Sequence, residues 1–205
     1  MNTELRVTLV PGLSRTGKTT FCLRYLVADS GLAVRFVFDP LGIMAATCGL
    51  AAAETEEELN LAAEEGWCFF DPTLTFPGRR AEACEWFLRW SYQRAQSLPG
   101  RKLLFVDEVW KHCNPHQIPQ PLAEWVQDGA KWGCECLFAT QTPNKLNSAI
   151  TGQLTEVVSF RLQEKNALEF SAGLGLNVEE LPKLQKGEFL ALNLYSGGEL
   201  RGRLF

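Results

Sequence analysis

At 205 residues, 46% of them hydrophobic and 21% charged, the chain has the size and composition of one globular domain with a sizeable core. Its 24 acidic against 20 basic residues give a formal net charge of −4, which excludes a broad basic surface for gripping nucleic acid. No apolar run approaches the roughly 18 residues of a membrane span, and no signal-peptide pattern opens the sequence, so a cytosolic protein with no transmembrane segment of its own is expected.

Residues 5–10 (LRVTLV) are mostly apolar and β-branched and predict a buried strand. Then comes PGLSRTGKTT (11–20), in which Gly12, Leu13, Ser14, Arg15, Thr16, Gly17, Lys18 and Thr19 fit G-x-x-x-x-G-K-[ST]. Residues 19–31 read as a helix stopped near Gly31, so the motif has the strand–loop–helix context that it requires. The glycines let backbone N–H groups turn onto phosphate oxygens, and the helix N-terminus adds partial positive charge. Lys18 is positioned to reach the β/γ-phosphates and Thr19 to ligate Mg²⁺, with Thr20 closing the loop. A chance match arises in about 1% of chains this long at average composition.

Further along, AVRFVFDP (33–40) predicts a strand ended by Asp39-Pro40. Residues 41–65 read as helix, with Thr55 as cap and Glu58 three positions on. WCFFDP (67–72) is a short strand and 79–98 an amphipathic helix stopped by Leu98-Pro99-Gly100. KLLFVDEVW (102–110) predicts a central strand, 122–133 a helix, 134–140 a strand, 155–162 a strand and 164–175 a helix. The last 19 residues form a hairpin turning at Ser196-Gly197-Gly198. Alternating strands and helices, with no linker or repeat, predict a single α/β domain over 1–205 whose mostly parallel sheet is covered on both faces.

Two further features carry chemistry. LLFVDE places Asp107 where a P-loop protein needs a carboxylate for the Mg²⁺ shell, and Glu108 where a base can polarise an attacking water. A nucleotide kinase, whose nucleophile is a substrate hydroxyl, has no need of Glu108, so hydrolysis is favoured over phosphoryl transfer. LFATQTP (137–143) ends the next strand with a polar tip able to sense a γ-phosphate, through the Gln141 amide or through Thr140. HCNPH (112–116) and CEC (134–136) lack metal-ligand spacing; both histidines read as solvated loop residues and the seven cysteines mostly as buried thiols.

The succession of P-loop, FDP strand, LLFVDE, GAKWG…FATQTPNKL and VVSFRLQEKNALE resembles the FtsK–HerA superfamily of DNA-translocating ATPases, from Val10 to about Asn193. In its compactness the chain is most similar to the small genome-packaging ATPases of membrane-containing icosahedral viruses. The resemblance implies a RecA-like fold, ATP and Mg²⁺ as cofactors, and a homo-oligomeric ring, a hexamer, driving double-stranded DNA through its centre in the host cytoplasm or at the virion. It implies that residues 12–20 form the ATP loop, that Asp107 is the Walker B acid, Glu108 the catalytic carboxylate and Gln141 the sensor. It also implies an arginine finger from a neighbouring subunit, for which Arg94 and Arg161 are the candidates. WKHCNPHQIPQP (110–121), which follows Glu108 directly, is a candidate for coupling hydrolysis to DNA movement, with Lys111 and Lys145 as candidate phosphate contacts. Residues 41–78 contain no Lys or Arg and are expected to face outward or toward a portal or vertex protein. The alternatives are a non-translocating P-loop ATPase acting as an assembly or regulatory switch, and an export ATPase of filamentous-phage type.

Overall fold

The computed structural model describes residues 6–171, 174 and 177–205. Its strands form one eight-stranded sheet: β1 (Val7–Pro11), β2 (Leu32–Phe38), β3 (Trp67–Phe70), β4 (Arg101–Val106), β5 (Cys134–Thr140), β6 (Glu156–Ser159), β7 (Glu188–Asn193) and β8 (Glu199–Arg203), in the order β3-β2-β4-β5-β1-β6-β7-β8. Pairings from β3 through β6 are parallel, and β6-β7-β8 are antiparallel. The register sets Pro11 beside Thr140 and Val106 beside Phe138, so the C-terminal tips of β1, β4 and β5 end almost level. Loops leaving such neighbouring parallel tips converge, and ligands of α/β sheets bind there.

Alternation along the strands feeds two cores. Leu9, Phe36, Phe38, Leu104, Val106 and Phe138 face one side, packed with α3 (Glu56–Glu65), α4 (Arg80–Ser97) and α5 (Gln120–Asp128). Val10, Val37, Phe105, Leu137 and Ala139 face the other, under α1 (Lys18–Ala28) and α2 (Ile43–Thr47). Short α6 (Ser148–Thr151) and α7 (Glu164–Ser171) also pack on the first face. The architecture is a mostly parallel α/β sheet with helices on both faces and a C-terminal antiparallel hairpin, as the strand–helix alternation predicts. Trp125 of α5 is fully buried and donates its indole N–H to the Leu88 carbonyl at 3.1 Å, which keeps this large side chain satisfied in the core.

Several boundaries differ from expectation: the helix expected over 122–133 ends at Asp128 and gives way to a 3-10 turn, and the strand expected over 155–162 spans Glu156–Ser159. The helix expected over 41–65 is two helices, because Gly49 takes φ 71° and ends α2. The Gly49 and Leu50 N–H groups return to the Ala46 and Ala45 carbonyls, a Schellman arrangement. Ala53 then pairs with Phe70 at the sheet edge before the Thr55/Glu58 capping box opens α3. The strand expected to reach Trp110 stops at Val106, since Glu108 adopts φ 51° and Val109–Lys111 form one 3-10 turn. The helix expected over 164–175 runs over Glu164–Ser171; residues 172, 173 and 175 lie outside the described ones, as does residue 5 of the first strand.

Candidate functional site

The loop between β1 and α1 lies between the tips of β5 and β6. Gly12 N–H donates to the Thr140 carbonyl at 3.0 Å and Leu13 N–H to the Arg161 carbonyl at 2.8 Å. A Cβ at Gly12 would sit 2.6 Å from the Phe160 Cβ, so only glycine lets the loop pass this close to the end of β6. Thr16 Oγ1 and Lys18 Nζ both donate to the Leu13 carbonyl, at 2.8 and 3.0 Å, which folds the lysine across the mouth of its own loop. Lys18 is buried, and burial lowers its pKa while the nearby Glu108 and Asp107 carboxylates pull it back up. Arg15, at φ 62°, is exposed on the outer rim, and Ser14 is exposed beside it.

Two cavities meet at Thr19. One, of about 340 Å³, is lined by Arg15, Gly17, Lys18, Thr19, Thr20, Lys186 and Phe205. The second, of about 290 Å³, runs from Thr19 to Asp39, Arg80, Asp107, Glu108, Lys111 and His112. Burial raises the Asp107 pKa, and Glu108 beside it adds to the shift. Asp39, Asp107 and Glu108 in this cavity are met by Arg80, Lys111 and the buried Lys18, so the donor set, rather than net charge, favours a metal. A hydroxyl and a carboxylate, Thr19 and Asp107, form an oxygen donor pair of the kind that suits Mg²⁺ with waters and phosphate completing its shell. Among the described residues no three His, Cys, Asp or Glu side chains gather as a denser metal cluster.

Glu108 is held from two sides. Its Oε1 accepts from Gln141 Nε2 at 2.5 Å, while its Oε2 accepts from Gln141 N at 3.1 Å and from Trp110 Nε1 at 2.7 Å. Thr140, fully buried, uses its hydroxyl to accept from Thr142 N–H and its carbonyl for Gly12, so Gln141 is the group that reaches Glu108. The Trp110 ring has the Lys145 ammonium 5.1 Å from its centroid and that of Lys111 at 5.9 Å, both lysines exposed.

The two arginines singled out in the sequence lie apart. Arg161 is exposed next to the phosphate loop. Arg94 is half-buried near the end of α4 and pairs with Glu64 of α3 at 3.8 Å. It lies about 21 Å along that helix from Arg80, the residue that lines the Asp107 cavity. Sequence reasoning passed over Arg80, Lys186 and Phe205; Arg80 carries no motif, and the other two reach the site only through the terminal hairpin. His112 corrects the expectation of a solvated loop residue. It is half-buried, edge-on to Phe38 at 5.4 Å, with Nδ1 shielded from solvent and unpartnered among the described residues. His116 is exposed as expected.

No protein-family model matches the chain, and no curated protein does. Solved structures do match. The genome packaging NTPase B204 of Sulfolobus turreted icosahedral virus 2, in complex with ATP-gammaS, aligns with a TM-score of 0.77 at 17% identity over 100% of both chains. This chain has the B204 fold. The cytoplasmic domain of the Thermomonospora curvata type VII secretion ATPase EccC aligns with a TM-score of 0.61 at 15% identity, over 99% of this chain and 24% of that one. The pCW3 conjugation coupling protein TcpA aligns with a TM-score of 0.62 at 14% identity, over 99% of this chain and 61% of that one. At these identities the likeness is one of fold, and the FtsK–HerA resemblance read from the sequence is borne out at that level. No helix among the described residues is long and apolar enough to cross a membrane.

Proposed function

We propose that residues 1–205 form a single ATPase domain of the FtsK–HerA superfamily that hydrolyses ATP to move double-stranded DNA, in the setting of viral genome packaging. Within the loop of residues 12–20, the N–H groups of residues 14–18 and the Lys18 ammonium hold the β/γ-phosphates, while Thr19 and Asp107 would hold Mg²⁺. The metal, when bound, offsets the phosphate charge. Glu108 orients water in line with the γ-phosphorus and takes up its proton as the P–O bond to the leaving diphosphate breaks. Gln141, now bonded to Glu108, exchanges that partner for the γ-phosphate and so frees the carboxylate only when triphosphate is present.

The observation that carries the motor reading is Trp110. Its indole N–H holds Glu108 while Lys111 and Lys145, the candidate DNA contacts, lie over its ring. Phosphate groups that draw the lysines away disturb the residue that restrains the base, which ties DNA occupancy to turnover. A few lysines per protomer repeated around a hexameric ring fit weak, salt-sensitive, sequence-independent binding by an acidic chain. In such a ring Arg161, exposed, is better placed than the ion-paired Arg94 to serve a neighbour's site. The Lys- and Arg-free stretch 41–78 displays exposed Leu41, Ile43, Leu61 and Leu74, which supports its reading as a surface for a portal or vertex protein. The host cytoplasm, with association at the virion, is the corresponding location.

The test is the steady-state ATPase rate of wild type and Glu108→Gln, each with and without linear double-stranded DNA. Turnover abolished in the variant and stimulated by DNA in the wild type supports the motor. Turnover lost in the variant but indifferent to DNA retains the ATPase and replaces the motor with a protein-regulated switch. Full activity of Glu108→Gln overturns the mechanism.

A further inference from the structure

The C-terminal hairpin is tied to the phosphate loop by backbone contacts. Gly187 N–H donates to the Thr16 carbonyl at 2.9 Å, and the Gly187 carbonyl accepts from Leu204 N–H at 3.0 Å. Arg24 of α1 donates from its guanidinium to the Leu204 carbonyl at 2.8 Å. Gly187 has φ 82°, and a Cβ there would lie 2.9 Å from the Phe205 ring, so the ring rests directly on bare backbone. A Cβ at Gly17 would meet Leu204 Cδ1 at 3.0 Å. The loop and the hairpin therefore approach each other at positions where side chains are missing, and the contact fixes where Phe205 stands.

Phe205 lines the 340 Å³ cavity together with Lys18 and Thr19, and the residue is 58% exposed. The remaining lining is Arg15, Thr20, Lys186 and the bare backbone of Gly17, so Phe205 supplies the aromatic surface of this cavity. A nucleotide with its β-phosphate in the loop carries its base out of the phosphate end along the same cavity. An exposed ring held by backbone in that cavity offers a π-face to the base, with the Lys186 ammonium 5.8 Å from the ring centroid. We propose that Phe205 is the base-stacking platform of the nucleotide site, presented by the terminal hairpin. This deepens the ATPase reading and rests on residues 12–19 being the phosphate loop.

The experiment is calorimetric titration of wild type, Phe205→Ala, Phe205→Leu and Phe205→Tyr with ADP and, separately, with inorganic tripolyphosphate, in Mg²⁺ buffer. Stacking of one base on an aromatic side chain corresponds to about 5- to 100-fold in affinity. ADP is expected to bind about 5- to 100-fold more weakly to Phe205→Ala and to Phe205→Leu, which keeps apolar packing on Gly187. Tripolyphosphate is expected to bind all four proteins within about twofold, and Phe205→Tyr to keep wild-type ADP affinity. Unchanged ADP affinity in Phe205→Ala and Phe205→Leu, or equal weakening of ADP and tripolyphosphate, overturns the platform while leaving the phosphate loop intact. A wild type that binds neither probe overturns the phosphate-loop reading itself, and the platform with it.

Discussion

Trp110 Nε1 donates to Glu108 Oε2 at 2.7 Å, and the two residues are joined by a chain segment that turns sharply at Glu108 itself, where φ is 51°. A hydrogen bond to a carboxylate is worth about 1.5–3 kcal/mol, enough to hold the side chain in one rotamer for most of the time. Trp110→Phe keeps a ring for Lys111 and Lys145 to lie over and removes only the donor. Basal ATPase is expected to rise by up to about tenfold while the factor of DNA stimulation shrinks. Steady-state assays with and without linear DNA read both quantities; an unchanged basal rate with normal stimulation would show that Trp110 does not restrain the base.

Arg35 is buried in β2 and serves the backbone rather than a ligand. Its Nε donates to the Leu26 carbonyl at 2.8 Å and its Nη1 to that of Leu32 at 3.0 Å, while Nη2 donates to the Asp29 carbonyl. Its guanidinium lies 4.2 Å from the Trp67 ring centroid. The bonds to Leu26 and Asp29 close the C-terminal end of α1, the helix whose other end carries Lys18 and Thr19, and the bond to Leu32 ties it to the start of β2. Arg35→Met leaves three carbonyls without this donor and is expected to cost about 2–4 kcal/mol, with Arg35→Lys recovering less than half. Urea midpoints at constant slope measure this. A shift under about 0.5 kcal/mol, the size of an ordinary surface substitution, would mean that the fork is replaceable by water.

What was legible in the chain follows from the range of the interactions involved. The phosphate loop, the level of Asp107 and Glu108, and the capping box at Thr55 are written in contiguous residues, because strand, turn and helix-cap chemistry act over a few positions. The split of 41–65 was also written there, in Gly49, but alanine-rich helix propensity on either side masked it. Lys186 and Phe205 were illegible. They reach the phosphate loop only because β7 and β8 extend the sheet beyond β6, and nothing near them in sequence marks a site. His112 was misread because a proline-broken loop usually lies in water, whereas this one is pinned against Phe38.

Gly12 tests how tightly the phosphate loop is braced by the neighbouring strand. The atom that an added methyl would meet is Phe160 Cβ, a part of the side chain that cannot swing aside by rotation, and Phe160 itself is fully buried. Gly12→Ala is therefore expected to cost about 1–3 kcal/mol in urea unfolding and to weaken ADP by displacing the loop. Gly78→Ala, at φ 74° with open space around the position, is expected to cost about 1 kcal/mol and to leave ADP binding alone. Equal effects on ADP affinity would mean that the close approach to Phe160 is not what calls for glycine at position 12.

His112 makes stability depend on pH in a window of its own. Burial, with Arg80 and Lys111 nearby, lowers its pKa from the ordinary 6.5 to about 4. Between those values the unfolded chain binds a proton that the folded chain does not, so stability falls as pH falls from 6.5 toward 4 and is restored as pH rises. The full loss, reached below pH 4, is about 3 kcal/mol. Asp39 and Asp107 line the same cavity with carboxyl pKa values raised by burial, and they act in the opposite sense. Their contribution is shared by wild type and His112→Gln and largely cancels in the difference between the two. Urea midpoints of both proteins from pH 7.5 to 4.5 should therefore converge, or cross, as the pH is lowered, the wild type losing more. Parallel curves would mean that the imidazole takes its proton as readily in the folded chain as in the unfolded one, and that the contact with Phe38 does not keep it neutral.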